Sequence, residues 1–328
     1  MVGGLAPLPR DDTLPGTLLE FCERFASDDD CAEFLRAWKY GEDRFRCPRC
    51  GGRTAWFLPS RRLDECASCH RQVSLTAGTV MEGTRKPLRL WFMAMYLFVV
   101  SKQGISAMDL SRQLGLSYPA AWTWLHKLRA AVNTRAKLPL EGVVEADETW
   151  EGGLRKGEPG RPTVGEKALV AGAVEVKQKR WGRTRLASLA DGSSASIGPF
   201  LMENVAPGSR LLTDDWRSYR RPAREQGLRH EPTNVSKSDR EAHEILPAVH
   251  RVFSLLHRVL LTTYQGAVSQ KHLPNYLAEY EFRFNRRHSA SRALLFQRLL
   301  SASVRRRPPR YWEILGRPDA ETPLWMAA

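Results

Sequence analysis

The chain has 328 residues, of which 42% are hydrophobic and 26% are charged, and its formal net charge at pH 7 is +14. This length predicts two or three domains, and this composition excludes a generally disordered protein. The longest apolar run, residues 90–100, is 11 residues long, whereas a helix that crosses a bilayer needs about 20, so we expect no transmembrane helix. The first 20 residues lack an apolar stretch behind a basic start, so we do not expect secretion.

Charge is distributed unevenly along the chain. Residues 1–46 hold 6 basic and 10 acidic side chains, residues 47–140 hold 14 and 4, and residues 141–328 hold 30 and 22. A strongly basic segment joined to a moderately basic one favours a polyanionic partner such as nucleic acid, because neutralising phosphates releases counterions. The alternative is a basic surface that is simply solvated.

The first predicted element is a short helical segment over residues 1–42. Its apolar residues recur at near-helical spacing: Phe21, Phe25, Phe34, Leu35 and Trp38. An acidic run, residues 28–30, stands where a helix would begin, and capping explains it better than catalysis does.

Residues 43–84 carry two Cys-x-x-Cys pairs, Cys47/Cys50 and Cys66/Cys69, separated by fifteen residues. Two such pairs are typical of a four-thiolate zinc site, and flanking segments of strand composition complete a zinc ribbon. A dithiol redox pair is the alternative. Cys22 and Cys31 have no partner at ligand spacing and are predicted to be core residues.

Residues 85–140 are predicted to be a helical DNA-binding region. An apolar helix over residues 86–100 is followed by two shorter ones that form a helix-turn-helix pattern. The residues predicted to begin or end these two helices are Ser106, Asp109, Gly115, Ser117 and Pro119. The last helix would bury Ala121, Trp124, Leu125 and Leu128, and it would turn Tyr118, Trp122, Thr123, Lys127 and Arg129 outward to DNA. The alternative is an ordinary three-helix bundle.

From residue 142 the sequence becomes α/β in character. Strands are predicted over residues 143–148, 168–176, 184–189 and 210–214, and helices over residues 196–204 and about 241–261. Residues 152–165 are rich in Gly and charge, which predicts an exposed loop. Residues 304–328 are predicted to be a basic, proline-broken tail.

Two of these strands end in acids, Asp147 and Asp214. Carboxylates at the ends of apolar strands meet at a sheet edge, where a pair of them can hold a hard cation such as Mg²⁺ near substrate phosphates. Composition does not rank Asp147 against Glu145 or Glu148, nor Asp214 against Asp215. Acids that merely end a strand are the alternative.

Four ordered blocks give the chain a resemblance to a known family. Residues 144–153, 211–219, 246–273 and 276–287 resemble the three catalytic blocks and the C-terminal block of zinc-ribbon DDE insertion-sequence transposases. The resemblance covers roughly residues 43–300. It implies an RNase H-like domain, over residues 141–303, that cuts transposon ends and joins the freed 3′-hydroxyl to target DNA.

The same resemblance implies a catalytic ligand set of Asp147, Asp214 and His250, which would hold Mg²⁺ or Mn²⁺. The chain departs from the family at His257, where Lys is usual, and at residues 261–263, where a Leu-Gly-Thr run is usual. A lone histidine at position 250 is often structural, and Glu241 and Glu244 are the alternative third ligands. The residues expected to contact DNA are Lys127, Arg129, His257, Lys271, Arg286 and Arg287.

The sequence thus predicts a multi-domain α+β protein that acts as a metal-dependent DNA transposase. Its expected cofactors are structural Zn²⁺ and catalytic Mg²⁺ or Mn²⁺. Its expected partners are double-stranded DNA, both transposon ends and target, and further copies of itself, in the cytoplasm and associated with DNA. The alternative is a DNA-binding regulator, or a domesticated remnant, that binds without cutting.

Overall fold

A computed structural model describes residues 14–40, 45–133, 137–151, 167–178, 180–289, 291–304 and 309–316. The chain divides into two compact units. One comprises residues 1–100, 110–131 and 289–328, and the other comprises residues 101–109 and 132–288. No helix within the described ranges is long and apolar enough to span a membrane.

The first unit begins with two helices and a small antiparallel sheet. Its elements are α1 (Leu18–Arg24), α2 (Asp28–Tyr40), β1 (Ala55–Leu58), β2 (Leu63–Cys66) and β3 (Gln72–Ser74), with the strands in the order β1-β2-β3. Ser27 caps α2, because its hydroxyl accepts from the Asp30 N–H at 3.1 Å while the Asp30 carboxylate accepts from the Ser27 N–H at 2.7 Å. This supports the capping role predicted for the acidic run.

Three further helices follow, α3 (Leu88–Val100), α4 (Ala107–Leu114) and α5 (Tyr118–Val132). The predicted start of α4 is observed, with the Ser106 hydroxyl accepting from the Asp109 N–H at 3.0 Å. Gly115 has a φ of +63°, which ends α4 in the left-handed region that favours glycine. The face of α5 that was predicted to be buried is buried: Ala121, Trp124, Leu125 and Leu128.

The second unit is built on a five-stranded sheet. Its strands are β4 (Val143–Glu151), β5 (Ala168–Lys177), β6 (Arg180–Leu189), β7 (Arg210–Asp214) and β8 (Arg229–Thr233), in the order β6-β5-β4-β7-β8. β4, β5 and β6 pair antiparallel, whereas β7 runs parallel to β4 and β8 runs parallel to β7. An antiparallel meander extended by two parallel strands beside its first strand is the RNase H-like arrangement, so the predicted fold class is confirmed.

Helices cover both faces of this sheet. They are α6 (Ser194–Asn204), α7 (Arg220–Glu225), α8 (Ala242–Ile245), α9 (Pro247–Thr262) and α10 (Leu273–Phe284). One core joins α9 and α10 to β5, and the other joins α6 and α7 to β4 and β7. β5 is buried along its first eight residues because it has a helical layer on each side, which explains its nearly continuous apolar sequence.

Two last helices, α11 (Arg292–Val304) and α12 (Tyr311–Leu315), belong to the first unit. Phe296 of α11 packs against the rings of Phe25 and Phe92, with centroid separations of 5.9 and 6.1 Å. The core of this unit is therefore assembled from segments that lie about 200 residues apart in the chain.

The helix predicted over residues 241–261 is in fact two helices. Pro247 opens α9, where its missing N–H costs nothing, and Leu246 before it has φ −122° and ψ 60°, outside the helical region. The strands β2 and β8 and the helices α10 and α11 were not predicted. The predicted loop at residues 152–165 and residues 305–308 of the tail lie outside the described residues.

Candidate active site and metal centre

Asp214 is the last residue of β7, as predicted, but the prediction that Asp147 ends its strand is wrong, because β4 continues to Glu151. The parallel pairing of β4 with β7 nevertheless brings the two aspartates together. Val143 lies opposite Arg210, and Glu145 lies opposite Leu212. Continued by two residues, this register puts Asp147 level with Asp214. Residues at the same level of neighbouring parallel strands project from the same face of a sheet, so the two carboxylates lie side by side on one face.

His250 approaches these carboxylates from α9. Its Nε2 atom lies 3.3 Å from Asp147 Oδ2. Among the described residues this nitrogen is buried and has no hydrogen-bond partner. The second oxygen of Asp147, Oδ1, accepts from the Glu148 N–H at 2.8 Å, and Asp214 Oδ1 accepts from the Trp216 N–H at 3.1 Å. Each aspartate thus has one oxygen held by the backbone.

Glu145 fixes the helix that carries His250. Its Oε2 accepts from the N–H groups of Ala248 and Val249 at 2.7 and 3.0 Å. These are two of the N–H groups that the first turn of a helix leaves without an intrahelical acceptor. Glu145 is 3% exposed and stands two residues before Asp147, on the same face of β4. Strand β4 therefore supplies both the candidate ligand Asp147 and, in Glu145, the residue that holds the helix carrying His250.

We expect Glu145→Ala to destabilise the second unit. The change leaves two buried N–H groups without an acceptor, and each such group costs about 1–3 kcal/mol. Chemical denaturation should show the loss, and Glu145→Gln, which keeps one acceptor oxygen, should lose less. Glu203→Ala, at an exposed position of α6, is the control and should unfold like the wild type. Equal stability of Glu145→Ala and the control would contradict this role.

Burial and charge both act on the titrating groups of this site. Burial raises the pKa of Asp147 to about 7, against the hydrogen bond from the Glu148 N–H, and the negative charge of Asp214 raises it as well. Burial, together with the charge of His243, lowers the pKa of His250, whereas the charge of Asp214 raises it. Two carboxylates and an imidazole nitrogen are donor types that a divalent cation accepts, but among the described residues only the four ribbon cysteines form a cluster of three or more ligand atoms close enough to hold one ion.

Glu148, which composition could not distinguish from Asp147 as a candidate ligand, lies on the opposite face of β4. Burial raises the pKa of Glu148 to about 7, and the charges of Asp147 and Asp214 contribute to the increase. Burial and the nearby charge of Glu148 raise the pKa of Tyr219 well above its usual value. Because side chains alternate along a strand, Glu148 faces away from Glu145 and Asp147. This alternation could have been used to separate Glu148 from Asp147 in the sequence.

The alternative third ligands lie elsewhere. Glu244 Oε2 accepts from the Glu241 N–H at 3.0 Å and so closes the capping box of α8. Both side chains are exposed. His250 is therefore the candidate that faces Asp147, although its role as a ligand stays a prediction.

His257, the position where the family usually has Lys, faces a different acid. Its Nδ1 lies 3.2 Å from Oε2 of Glu151, the last residue of β4, whose side chain is 2% exposed. Strand β4 and helix α9 thus form two carboxylate–imidazole pairs, and the first is Asp147 with His250. Seven residues of helix separate the two histidines by about 10 Å along the axis, so they cannot share one ion.

The residues predicted to contact DNA have different surroundings. Lys127 is half-buried, with Nζ 5.9 Å from the centroid of the Trp91 ring. The outward orientation predicted for Arg129 is wrong, because its side chain is 1% exposed. It stands four residues after Leu125 and therefore on the buried face of α5. Lys271 is exposed.

Arg286 and Arg287 hold the end of α10. Their guanidinium carbons lie 4.3 Å from the ring centroid of Phe282 and 3.9 Å from that of Phe284, respectively. Arg287 also donates to the backbone carbonyls of Gly182, at 3.2 Å, and Trp181. These contacts join α10 to β6, and the predicted contacts with DNA stay untested.

The four cysteines of the ribbon converge. The Sγ atoms of Cys47 and Cys69 are 3.6 Å apart, those of Cys50 and Cys66 are 3.5 Å apart, and all four lie within 4.8 Å of one another. A tetrahedral zinc ion with Zn–S bonds of about 2.3 Å requires sulfur–sulfur separations of about 3.8 Å. A Cβ atom on Gly52 would lie 3.3 Å from two of these sulfurs, so the chain needs glycine there to pass close to the site.

Two segments of the chain match known transposase domains. Residues 139–285 match the ISXO2-like transposase domain, and residues 26–72 match the transposase zinc-ribbon domain. Together the two matches span more than half of the chain. The chain therefore carries an ISXO2-like transposase domain that follows a transposase zinc-ribbon domain. The first match contains Asp147, Asp214 and His250, and the second contains all four ribbon cysteines.

One relative of this chain is an uncharacterised protein in transposable element ISH50 of Halobacterium salinarum. The two are 28% identical over 145 residues, which is 42% of this chain and 47% of that protein. The match thus spans about half of the relative's length.

Solved structures with detectable similarity include a pre-cleavage Mos1 transpososome and the Mos1 strand transfer complex. They are 12% and 13% identical to the chain, and each covers 65% of it with a TM-score of 0.28. The matches reach 75% and 74% of the Mos1 chains.

Proposed function

We propose that this chain is a DNA transposase that cleaves transposon ends and joins their 3′ ends to target DNA. The observation that carries the proposal is that Asp147 is level with Asp214 on the neighbouring strand and has His250 Nε2 3.3 Å from its Oδ2. In the cleavage step, a water oxygen attacks the end phosphodiester and the 3′-oxygen leaves as a hydroxyl. In the joining step, that 3′-hydroxyl attacks a target phosphodiester and displaces the next 3′-oxygen.

In this proposal Asp147, Asp214 and His250 hold the catalytic cation, Mg²⁺ or Mn²⁺. When bound, such ions lower the pKa of an attacking oxygen and offset charge on the leaving oxygen. The raised pKa of Asp147, to which the charge of Asp214 contributes, and the approach of His250 Nε2 to Asp147 Oδ2 at 3.3 Å support this assignment.

The remaining residues of the site position these three. Glu145 holds the first turn of α9, and with it His250, against β4. The backbone N–H groups of Glu148 and Trp216 each fix one oxygen of Asp147 or Asp214. Preorganisation of this kind spares the site a rearrangement during reaction.

Recognition of DNA is assigned to the zinc ribbon and to α4 and α5. Zinc held by Cys47, Cys50, Cys66 and Cys69 keeps the ribbon folded, and the exposed side of α5 meets the major groove. The partly exposed Lys127 contributes a phosphate contact there. Several copies of the chain assemble on the DNA in this proposal, since a transposon has two ends.

The direct test is cleavage of DNA that carries the flanking ends, with Mg²⁺ and purified protein. Wild-type protein should produce free 3′-hydroxyl ends, and Asp147→Asn should produce none above background. Binding of the same DNA should survive in Asp147→Asn, because the ribbon and α5 are unchanged. Binding without cleavage by the wild-type protein, under every metal condition, would instead favour the non-catalytic regulator.

The unusual third position gives a prediction about metal preference. Imidazole replaces a carboxylate there, and Mn²⁺ accepts nitrogen more readily than Mg²⁺ does. We expect cleavage with Mg²⁺ but a higher rate with Mn²⁺. His250→Glu should stay active and reduce the difference between the cleavage rates with Mn²⁺ and Mg²⁺. His250→Ala should lose most cleavage activity with either metal.

The control for this measurement is Glu244→Ala, which changes the exposed acid of α8. It should cleave like the wild type with both metals. If His250→Ala cleaves normally and Glu244→Ala does not, the third ligand is not His250.

A further inference from the structure

A second concave site lies in the same unit, between α9 and α10. It is a cavity of about 420 Å³ that is closed on one side by β6 and on another by residues 101–103. This volume falls within the range of ordinary ligand pockets. We call it the α9–α10 cavity. Its apolar wall is formed by Trp181, Leu255, Val259, Tyr264, Tyr280 and Phe284.

The wall of the cavity is rich in aromatic rings. Tyr280 and Phe284 are buried and stacked on each other with centroids 5.8 Å apart, and Arg287 covers the Phe284 ring at 3.9 Å, so the rings that a ligand can reach are those of Trp181 and Tyr264. Trp181 and Tyr264 are partly exposed at its mouth. Aromatic faces of this kind suit a planar ligand, and nucleobases stack on them whatever their sequence.

The charge around the cavity is positive. Lys102, Arg251 and Arg258 line it with exposed side chains. Its one acid among the described residues is Glu279, which accepts from Arg283 Nη2 at 2.7 Å and from the Tyr264 hydroxyl at 3.0 Å. Lys102, Arg251 and Arg258 are exposed, whereas Glu279 is already hydrogen-bonded to Arg283 and Tyr264. The net positive charge favours a ligand that bears phosphate.

Hydrogen bonds within the chain hold the segment that carries Lys102 in place beside the cavity. Arg283 donates to the Ser101 carbonyl at 2.7 Å, and the Thr263 hydroxyl donates to the Gln103 carbonyl at 3.0 Å, so the segment that carries Lys102 is tied to both helices. Gly104 has a φ of +89° and approaches the Tyr264 hydroxyl so closely that a side chain would collide with it. A site that needs no ordering on binding loses less entropy.

The cavity also stands next to the candidate active site. Arg251 directly follows His250 on α9, and one residue of helix turns the side chain by about 100°. The two side chains therefore leave neighbouring faces of the same helix. A strand that passes His250 can continue towards the cavity.

We propose that the α9–α10 cavity binds an unpaired nucleotide. Its base lies against the aromatic wall, and its phosphate is bound by Lys102, Arg251 and Arg258. The nucleotide belongs to an unpaired stretch of the DNA substrate, which rests on the proposed function, or it is a free mononucleotide with the same chemistry.

The test is a binding measurement in EDTA, so that no cleavage is needed. The probes are a duplex with a short overhang containing 2-aminopurine, the matching blunt duplex, and dAMP and inorganic phosphate as competitors. Wild-type protein should quench the overhang fluorescence. The double variant Arg251→Ala/Arg258→Ala should bind the overhang about tenfold more weakly, which corresponds to about 1.4 kcal/mol, and bind the blunt duplex as before.

Two further variants sharpen this measurement. Trp181→Leu should reduce the quenching, because it removes part of the stacking surface. Arg224→Ala, at an exposed position of α7 on the other side of the sheet, is the matched control and should bind both probes like the wild type.

The competitors separate the two sources of the nucleotide. Displacement by dAMP, with the same sensitivity to the double variant, assigns the site to a free nucleotide, whereas binding of the overhang without such displacement assigns it to the DNA strand. Equal binding of overhang and blunt duplex, or displacement by phosphate as effective as by dAMP, would overturn the inference. A protein that cleaves ends but shows no overhang preference refutes only this inference, and one that prefers the overhang but never cleaves refutes only the proposed function.

Discussion

Asp214→Asn is expected to reduce strand cleavage by about 10³-fold or more. The change removes one of two carboxylates that lie side by side on β4 and β7, and electrostatic stabilisation by a bound cation is worth several kcal/mol, or about a tenfold rate for each 1.4 kcal/mol. The measurement is single-turnover release of 3′-hydroxyl ends from DNA that carries the flanking sequences.

The neighbouring residue supplies the matched control. Asp215 accepts from Arg220 Nη2 at 2.6 Å and from Asn234 Nδ2 at 3.1 Å, so its carboxylate is already engaged away from Asp147. Asp215→Asn should therefore cleave within about threefold of the wild type, since it disturbs one exposed and one partly buried hydrogen bond, neither of which involves Asp147. If Asp215→Asn is inactive and Asp214→Asn is not, the second ligand of the site is Asp215.

Cys66→Ser is expected to remove the zinc and unfold the ribbon. Structural zinc contributes about 10–16 kcal/mol of binding free energy in small domains, and such domains do not fold without it. Elemental analysis of purified protein should give about one zinc per chain in the wild type and none in the variant. Binding of transposon-end DNA should fall with it.

Cys22→Ser is the control for this loss, because Cys22 lies on α1 and is only partly exposed, outside the ribbon. It should retain the zinc and bind DNA normally. A Cys66→Ser protein that still carries one zinc per chain would show that the metal is held by other residues.

Much of this molecule is predictable from the sequence because the information is local. The two Cys-x-x-Cys pairs place their sulfurs by tight turns alone, and the family resemblance then names the ribbon. The cap at Ser106 is predicted correctly, and the period of α5 correctly predicts the buried residues of that helix, because a helix repeats over a few positions. The start of strand β4 is visible as an apolar run, but its continuation from Asp147 to Glu151 is not.

The errors have physical causes as well. Arg129 was placed outward because a charged residue is usually exposed, but its spacing from Leu125 puts it on the buried face. β8 was missed because its sequence, Arg-His-Glu-Pro-Thr, has no apolar pattern, and its strand form depends on pairing with β7. The break between α8 and α9 could have been read from Pro247.

The sequence by itself determined the ligand types of the ribbon, the helices around α5 and the two strands that carry Asp147 and Asp214. Only the tertiary structure decided that these aspartates are level, that His250 and not Glu244 faces Asp147, and that Glu145 anchors α9. The α9–α10 cavity was also invisible in the sequence. The reason is that register between distant strands and the docking of a helix depend on contacts between residues about 70 to 100 positions apart, which no local period records.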